Sequence, residues 1–393
     1  MTSQARLSTS SLILALCVPA FALAQAPQSS QEQSKKAAAP LQDDGPDTKA
    51  HSLPEVLAEV ELKLSGRVNV IYAYDNFQGR PGADYAAHVT SESPDESNFT
   101  PRDTRFGFSA HQDWGNWKAK AVCEMDFYGS NAGDNYLPRL RHGYLQFDSD
   151  DGWRIIAGQT WNPIARQLPS MMDLSAMIFG GDLGLRVPQI RVGKTVAKDW
   201  VFEVSAFKHR VANSQQTQER MPWLAARAAY RGLIKGKGEV ALNLGFRDVS
   251  VDGNEYSPWI IAGEFKLPLS DNLTINGEIW GGEGIGPEFV RYGLDYNKAS
   301  GKAIRSYGGF ISGSWKWNDK INSGFGVGYD NPDDDDVGAA NTFRSNLHFF
   351  VNTKYQITKR IGFGAEFNHL ETEDASGNDL SGQRVQAGVW FLF

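Results

Sequence analysis

From about Leu62 to the last residue, Phe393, the chain alternates polar and apolar side chains. A period of two is the geometry of a β-strand, whose successive side chains point to opposite faces. The final segment shows it most clearly. Val385, Ala387, Val389, Phe391 and Phe393 share one face, and Arg384, Gln386, Gly388 and Trp390 share the other. Upstream, Leu347, Phe349, Val351 and Tyr355 oppose Asn346, His348, Asn352 and Lys354. Ala119, Ala121, Cys123, Met125 and Phe127 oppose Lys118, Lys120, Glu124 and Asp126.

A soluble sandwich also alternates, so the connections decide. Short ones, such as 112–115, 198–199, 269–271 and 358–359, alternate with long ones, such as 76–102, 161–188, 282–302 and 372–382. Short periplasmic turns opposite long external loops are the layout of outer-membrane barrels. The segments between them number about 16, of about 9 to 14 residues each. A strand of roughly 9–11 residues, tilted by about 45°, crosses the hydrocarbon. Closure removes the sheet edges, which lipid demands because no water is there to satisfy free N–H and C=O groups. Trp117, Trp153, Trp259, Trp315, Trp317 and Tyr355 fall near segment ends, where interfacial girdles belong. The expected fold class is all-β, a transmembrane antiparallel β-barrel.

Composition agrees. A helical span needs about 20 consecutive apolar residues, and the chain beyond its first residues has no such run. Mean hydropathy is −0.40, which suits a barrel whose inner face meets water. Arg6, the apolar run Leu12 to Val18 and Ala22-Leu23-Ala24 read as a signal peptide cleaved before Gln25. Its removal leaves Cys123 as the one cysteine, so no intrachain disulfide can form. Formal charge is −7; Arg6 is the only charged side chain in residues 1–24, so the mature chain carries −8. That balance argues against nucleic acid as a partner. Residues 25–50 have almost no large apolar side chain, Leu41 being the exception, and read as a disordered periplasmic linker. Leu53, Val56, Leu57, Val60 and Leu64 have helical spacing, so a short helix or coiled coil stays open. The expected organisation is a signal peptide (1–24), a linker (25–61) and a barrel (62–393).

The runs Arg139-Leu140-Arg141-His142-Gly143-Tyr144, Ala157-Gly158-Gln159-Thr160-Trp161 and Pro188-Gln189-Ile190-Arg191 resemble the DcaP-like family of trimeric outer-membrane porins. The matching block is about residues 100–195; the remainder agrees in layout. The resemblance implies a homotrimeric channel in the outer membrane, bathed by lipid and lipopolysaccharide, that passes dicarboxylates and other small organic anions. Relatives often carry a longer N-terminal coiled coil. Here the linker is short and rich in Pro and Ala, so trimerisation rests on analogy alone.

In 16-stranded porins the loop after the fifth strand folds into the barrel. In this chain that loop is residues 161–188, containing Arg166, Asp173, Asp182 and Arg186 beside Met171, Met172, Leu174, Met177, Ile178 and Phe179. Apolar side chains in an external loop need a home, which the barrel wall or a trimer neighbour would supply. The inward face is expected to collect Arg67, Arg105, Lys118, Lys120, Arg141, Arg154, Arg191, Arg227, Arg231, Arg305, Arg344 and Arg384, together with Glu124, Asp126, Glu203, Glu264, Glu278 and Glu366. Rings of Arg or Lys favour anions, and an Arg fork meets a carboxylate with two hydrogen bonds. The expected constriction has a cationic wall of Arg105, Arg141 and Arg191, with Arg166, Arg186, Lys118 and Lys120 nearby, opposed by Asp173 and Asp182. The bland alternative is a solvated lumen lining.

Other motifs carry less. Gly324, Gly326 and Gly328 alternate with Phe325, Val327 and Tyr329, so they are one face of a strand rather than a nucleotide loop. The acidic run 330–336 has Pro332 at its third position and no Gly at its sixth, unlike a calcium loop. No two histidines or cysteines have metal-ligand spacing, so no metal, cofactor or catalytic residue is expected. The competing readings are an outer-membrane hydrolase, which needs a Ser–His or Asp–His group at one interface, and a plugged anchor or adhesin.

Overall fold

The computed structural model describes residues 60–393 except 80–83, 94, 130–135, 209–216, 220, 252, 291–294, 298, 334–335 and 338–342. The expected signal peptide and nearly all of the expected linker lie outside the described residues. Sixteen long strands follow one another: β1 (Glu61–Asp75), β2 (Arg105–Trp114), β3 (Trp117–Asp126), β4 (Arg139–Ser149), β5 (Trp153–Trp161), β6 (Arg186–Val196), β7 (Trp200–Phe207) and β8 (Trp223–Gly232). The second half is β9 (Gly238–Phe246), β10 (Trp259–Pro268), β11 (Leu273–Glu283), β12 (Arg305–Lys316), β13 (Ile321–Pro332), β14 (Phe343–Gln356), β15 (Ile361–Asp374) and β16 (Asp379–Leu392).

Each strand pairs antiparallel with its sequence neighbour, and β16 returns to β1 along Arg67↔Leu392 to Asp75↔Arg384. The sheet is therefore a closed 16-strand barrel, as the alternation of connection lengths requires. A short strand, Glu96–Thr100, pairs with the far half of β1, and β2 with its near half. Pro101, which has no N–H to donate, stands at the break between them.

Polarity is inverted relative to a soluble protein. Val68, Phe202, Leu242, Ile279, Val351 and Val385 stand exposed on the outer face. Their strand neighbours Asn69, Glu203, Asn243, Glu278, Asn352 and Gln386 are buried inside. Lipid can solvate the first set, and hydrogen bonds satisfy the second. The main apolar cluster lies where the loop after β5 meets the wall. Ile164, Phe179 and Leu183 of the loop pack with Phe207, Trp223, Ile260, Trp280 and Phe343.

Candidate pore constriction

The connection between β5 and β6, residues 162–185 (L3), runs through the lumen. Its backbone would be a row of unsatisfied amides there, so wall side chains take them up. Glu264 accepts the Arg166 amide at 2.8 Å and Glu278 the Leu183 amide at 2.6 Å. Glu366 accepts the amides of both Met172 and Asp173. In return, L3 carbonyls accept from the wall: Leu168 from Asn276, Ser170 from Asn352, Phe179 from Asn346 and Gly181 from the Trp280 indole. The glycine face of β13 supplies the room. A Cβ on Gly324 would fall 2.1 Å from the Ser170 oxygen, and one on Gly328 would fall 2.0 Å from the Gly180 oxygen.

Between Asp173 and Phe179, L3 alternates. Asp173, Ser175, Met177 and Phe179 are buried toward the wall, whereas Leu174, Ala176 and Ile178 stay partly open. The open row lines a cavity of about 450 Å³, together with Leu168, Met171 and Met172. Its other side is formed by Arg67, Arg105, Arg139, Arg141 and Arg186.

Strand register builds this arginine wall. Arg67 of β1 and Arg105 of β2 are direct partners, and both bind Asp103, which is 2% exposed. Arg139 meets Asp126 with two bonds, of 2.9 and 2.6 Å. A register shift between β3 and β4 pairs Glu124 with His142 and Met125 with Leu140. Arg141 is left as the extra residue of the bulge, and reaches Glu124 and Asp126, each at 2.7 Å. Arg186 forms no ion pair among the described residues; its guanidinium lies over the Trp161 ring, 4.7 Å from the centroid. Asp103, Glu124 and Asp126 thus face five guanidiniums, leaving an excess of two positive charges.

The residues named from sequence are divided by this arrangement. Arg105, Arg141 and Arg186 stand together in the cavity wall. Arg186 is the first residue of β6 rather than a loop residue. Arg191 does not line the cavity. It is buried against Gln189 and the Trp161 carbonyl, 4.0 Å from Glu203. Arg166 lies beside it, 2.6 Å from Glu203. Asp173 borders the cavity, but its carboxylate accepts the Ala86 and Ser175 amides and pairs with Arg384 at 3.2 Å. Asp182 is buried outside the cavity, near Glu278 and Asp330. Burial pushes its carboxyl well above the usual range, opposed by the one Gly184 amide it accepts. Lys118 and Lys120 sit near the β2–β3 turn, opposite Asp113 and His111, and line no part of the cavity. Arg305 shares the exposed phase of Tyr307 and is held by Asp336 at the loop end, rather than facing inward. Asp103 and Arg139 complete the wall, and neither was singled out for it from sequence. The Arg102-Asp-Thr-Arg105 run and the Arg139-x-Arg141 spacing are the signals that mark them.

No family model and no curated protein sequence matches this chain. Among solved structures, the outer-membrane channel DcaP of Acinetobacter baumannii superposes with a TM-score of 0.76 at 21% identity, covering 86% of this chain and 98% of that one. The anion-selective porin of Comamonas acidovorans gives 0.59 at 13% identity, over 85% of this chain and 100% of that one. Pseudomonas putida OprB gives 0.56 at 11% identity, over 86% and 96%. The chain thus has the β-barrel fold of the outer-membrane porins. Within that class it has the fold of the DcaP channel, the resemblance seen in the sequence.

Proposed function

We propose that this chain is a passive diffusion channel of the outer membrane, a DcaP-like porin that favours small organic anions. The dicarboxylates implied by the family resemblance belong to that class. The supporting observation is the constriction, where five guanidiniums line an opening bounded by L3 and only three carboxylates are paired with them in the same wall. Fixed positive charge beside a narrow aqueous path raises the local concentration of anions. Selection of this kind needs no catalytic group: the solute moves down its gradient. The signal peptide (1–24), the periplasmic linker (25–61), assembly as a homotrimer and contact with lipopolysaccharide belong to the same proposal.

Liposome swelling tests it. Proteoliposomes are placed in isotonic acetate, succinate, glycine, arabinose or choline chloride. Swelling in succinate and acetate faster than in the neutral sugar is expected. Equal rates for all solutes would leave a channel without anion preference, and no swelling in any of them would remove the channel.

A further inference from the structure

The two sides of the opening are chemically unlike. A water-filled path needs no apolar lining, yet every L3 side chain between Met172 and Ile178 that borders the cavity and is not buried is apolar: Met172, Leu174, Ala176 and Ile178. The polar members of the stretch, Asp173 and Ser175, are buried: the Asp173 carboxylate accepts the Ala86 amide and pairs with Arg384, and the Ser175 backbone amide donates to Asp173. The loop therefore presents grease to the arginines while its backbone amides and carbonyls and the Asp173 carboxylate anchor it to the wall.

The cations are not equivalent either. Arg67 and Arg105 are committed to Asp103, and Arg139 and Arg141 to Asp126 and Glu124. The Lys354 ammonium donates to the Ser170 and Met171 carbonyls, each at 3.3 Å. Arg186 alone among the five wall guanidiniums has no carboxylate, and the Trp161 ring beneath it leaves its donors to the opening. A solute carboxylate can bind Arg186 without breaking a pair. A second carboxylate on the same solute would have to share Arg67 or Arg105 with Asp103, or Arg139 with Asp126, or lie on the apolar row. A guanidinium already paired offers less than Arg186, and an unpaired carboxylate on the apolar row is unfavourable.

We propose that the opening is a seat for an amphipathic monoanion: one carboxylate on Arg186, with an alkyl or aryl body lying along Leu174, Ala176 and Ile178. The inference rests on the channel reading and narrows it. Small dicarboxylates pass, but the solute held longest has a single charged head and an apolar body.

The test uses the purified full chain in planar bilayers, reading the chloride current while hexanoate, acetate, adipate or neutral hexanamide is added. Hexanoate is expected to block at a concentration about tenfold below acetate, because about two of its four extra methylenes leave water on the apolar row. It should also block below adipate, and hexanamide should block weakly. Arg186→Gln is expected to raise the blocking concentration of hexanoate about tenfold, the size of one charge-assisted hydrogen bond. Ile178→Ser should weaken hexanoate block and leave acetate unchanged. Adipate matching hexanoate, hexanamide equalling it, or hexanoate block unchanged in Arg186→Gln would overturn the proposal while leaving a conducting channel. If Ile178→Ser fails to fold, the solute series on the unaltered chain decides alone. A protein with no chloride current at all fails the channel reading, and the proposal with it.

Discussion

Trp161 and Arg186 face each other across the neck of L3. They are the last residue of β5 and the first of β6, direct register partners, with the guanidinium 4.7 Å from the indole centroid. The contact closes the base of the loop and holds the wall guanidinium that no carboxylate neutralises. A cation–π contact of this kind is worth about 1–2 kcal/mol when partly desolvated. Trp161→Ala is expected to lower the unfolding free energy in detergent by about 2–3 kcal/mol, once lost ring packing is included. Trp161→Phe keeps a ring and should lose less than half of that. Denaturant titration reads both, and equal losses would contradict the stacking role.

Glu366 carries more of L3 than any other single side chain named above. It accepts the Met172 and Asp173 amides, and also Asn352 and Gln386. Glu366→Ala leaves the buried Asp173 amide and the half-buried Met172 amide without acceptors, at a cost of about 1–3 kcal/mol for the buried one and less for the other. L3 should then leave the wall near Met172. Single-channel conductance is expected to rise with added current noise, and protease should nick L3 in folded protein. Unchanged conductance would show that the remaining anchors suffice.

The barrel was legible because a period of two recurs over so many segments while short connections alternate with long ones, and the strand Val385 to Phe393 shows the period without ambiguity. Parity also placed Arg105, Arg141 and Arg191 on the inner face. Parity gives the face of a residue but not its height along the barrel or what covers it. Lys118 and Lys120 have the inward phase, yet they sit near a turn, because height depends on strand register. Arg191 has the right face and lies in a buried pair, because L3 folds over that part of the wall. The landing place of L3 was visible in Gly324, Gly326 and Gly328, a strand face with no side chains. The sequence alone could not say what filled the space.

Glu124 is a separable part of the charge balance. Its side chain is 29% exposed and pairs with Arg141, which keeps Asp126 as a second partner. Glu124→Gln should raise the positive excess of the wall from two charges to three at a cost of no more than about 1 kcal/mol. The chloride-to-potassium permeability ratio is expected to increase. The effect should be larger at 0.1 M salt than at 1 M, where the screening length falls from about 10 Å to about 3 Å. A ratio that does not move would mean that Glu124 lies outside the field felt by passing ions.

Asp182 gives the protein a pH dependence of definite sign. Its carboxyl is raised in the folded chain by burial. Folding therefore favours the protonated form. That contribution is fully present below the ordinary carboxylate range and is lost as pH rises through the folded value. Asp182→Asn keeps an oxygen for the Gly184 amide and cannot ionise. Its melting temperature relative to the unaltered chain should climb as pH is raised from about 4 toward 8. A gap that is constant, or that narrows over this range, would place Asp182 in a different charge state.

The central claim is an open aqueous path beside a wall with more guanidinium than carboxylate. The reversal potential of the purified protein in a planar bilayer, across a tenfold potassium chloride gradient, tests it most directly. The account predicts a stable ohmic current whose reversal potential lies toward the chloride equilibrium value. A reversal potential toward potassium, or a bilayer that stays silent with inserted protein, would contradict it.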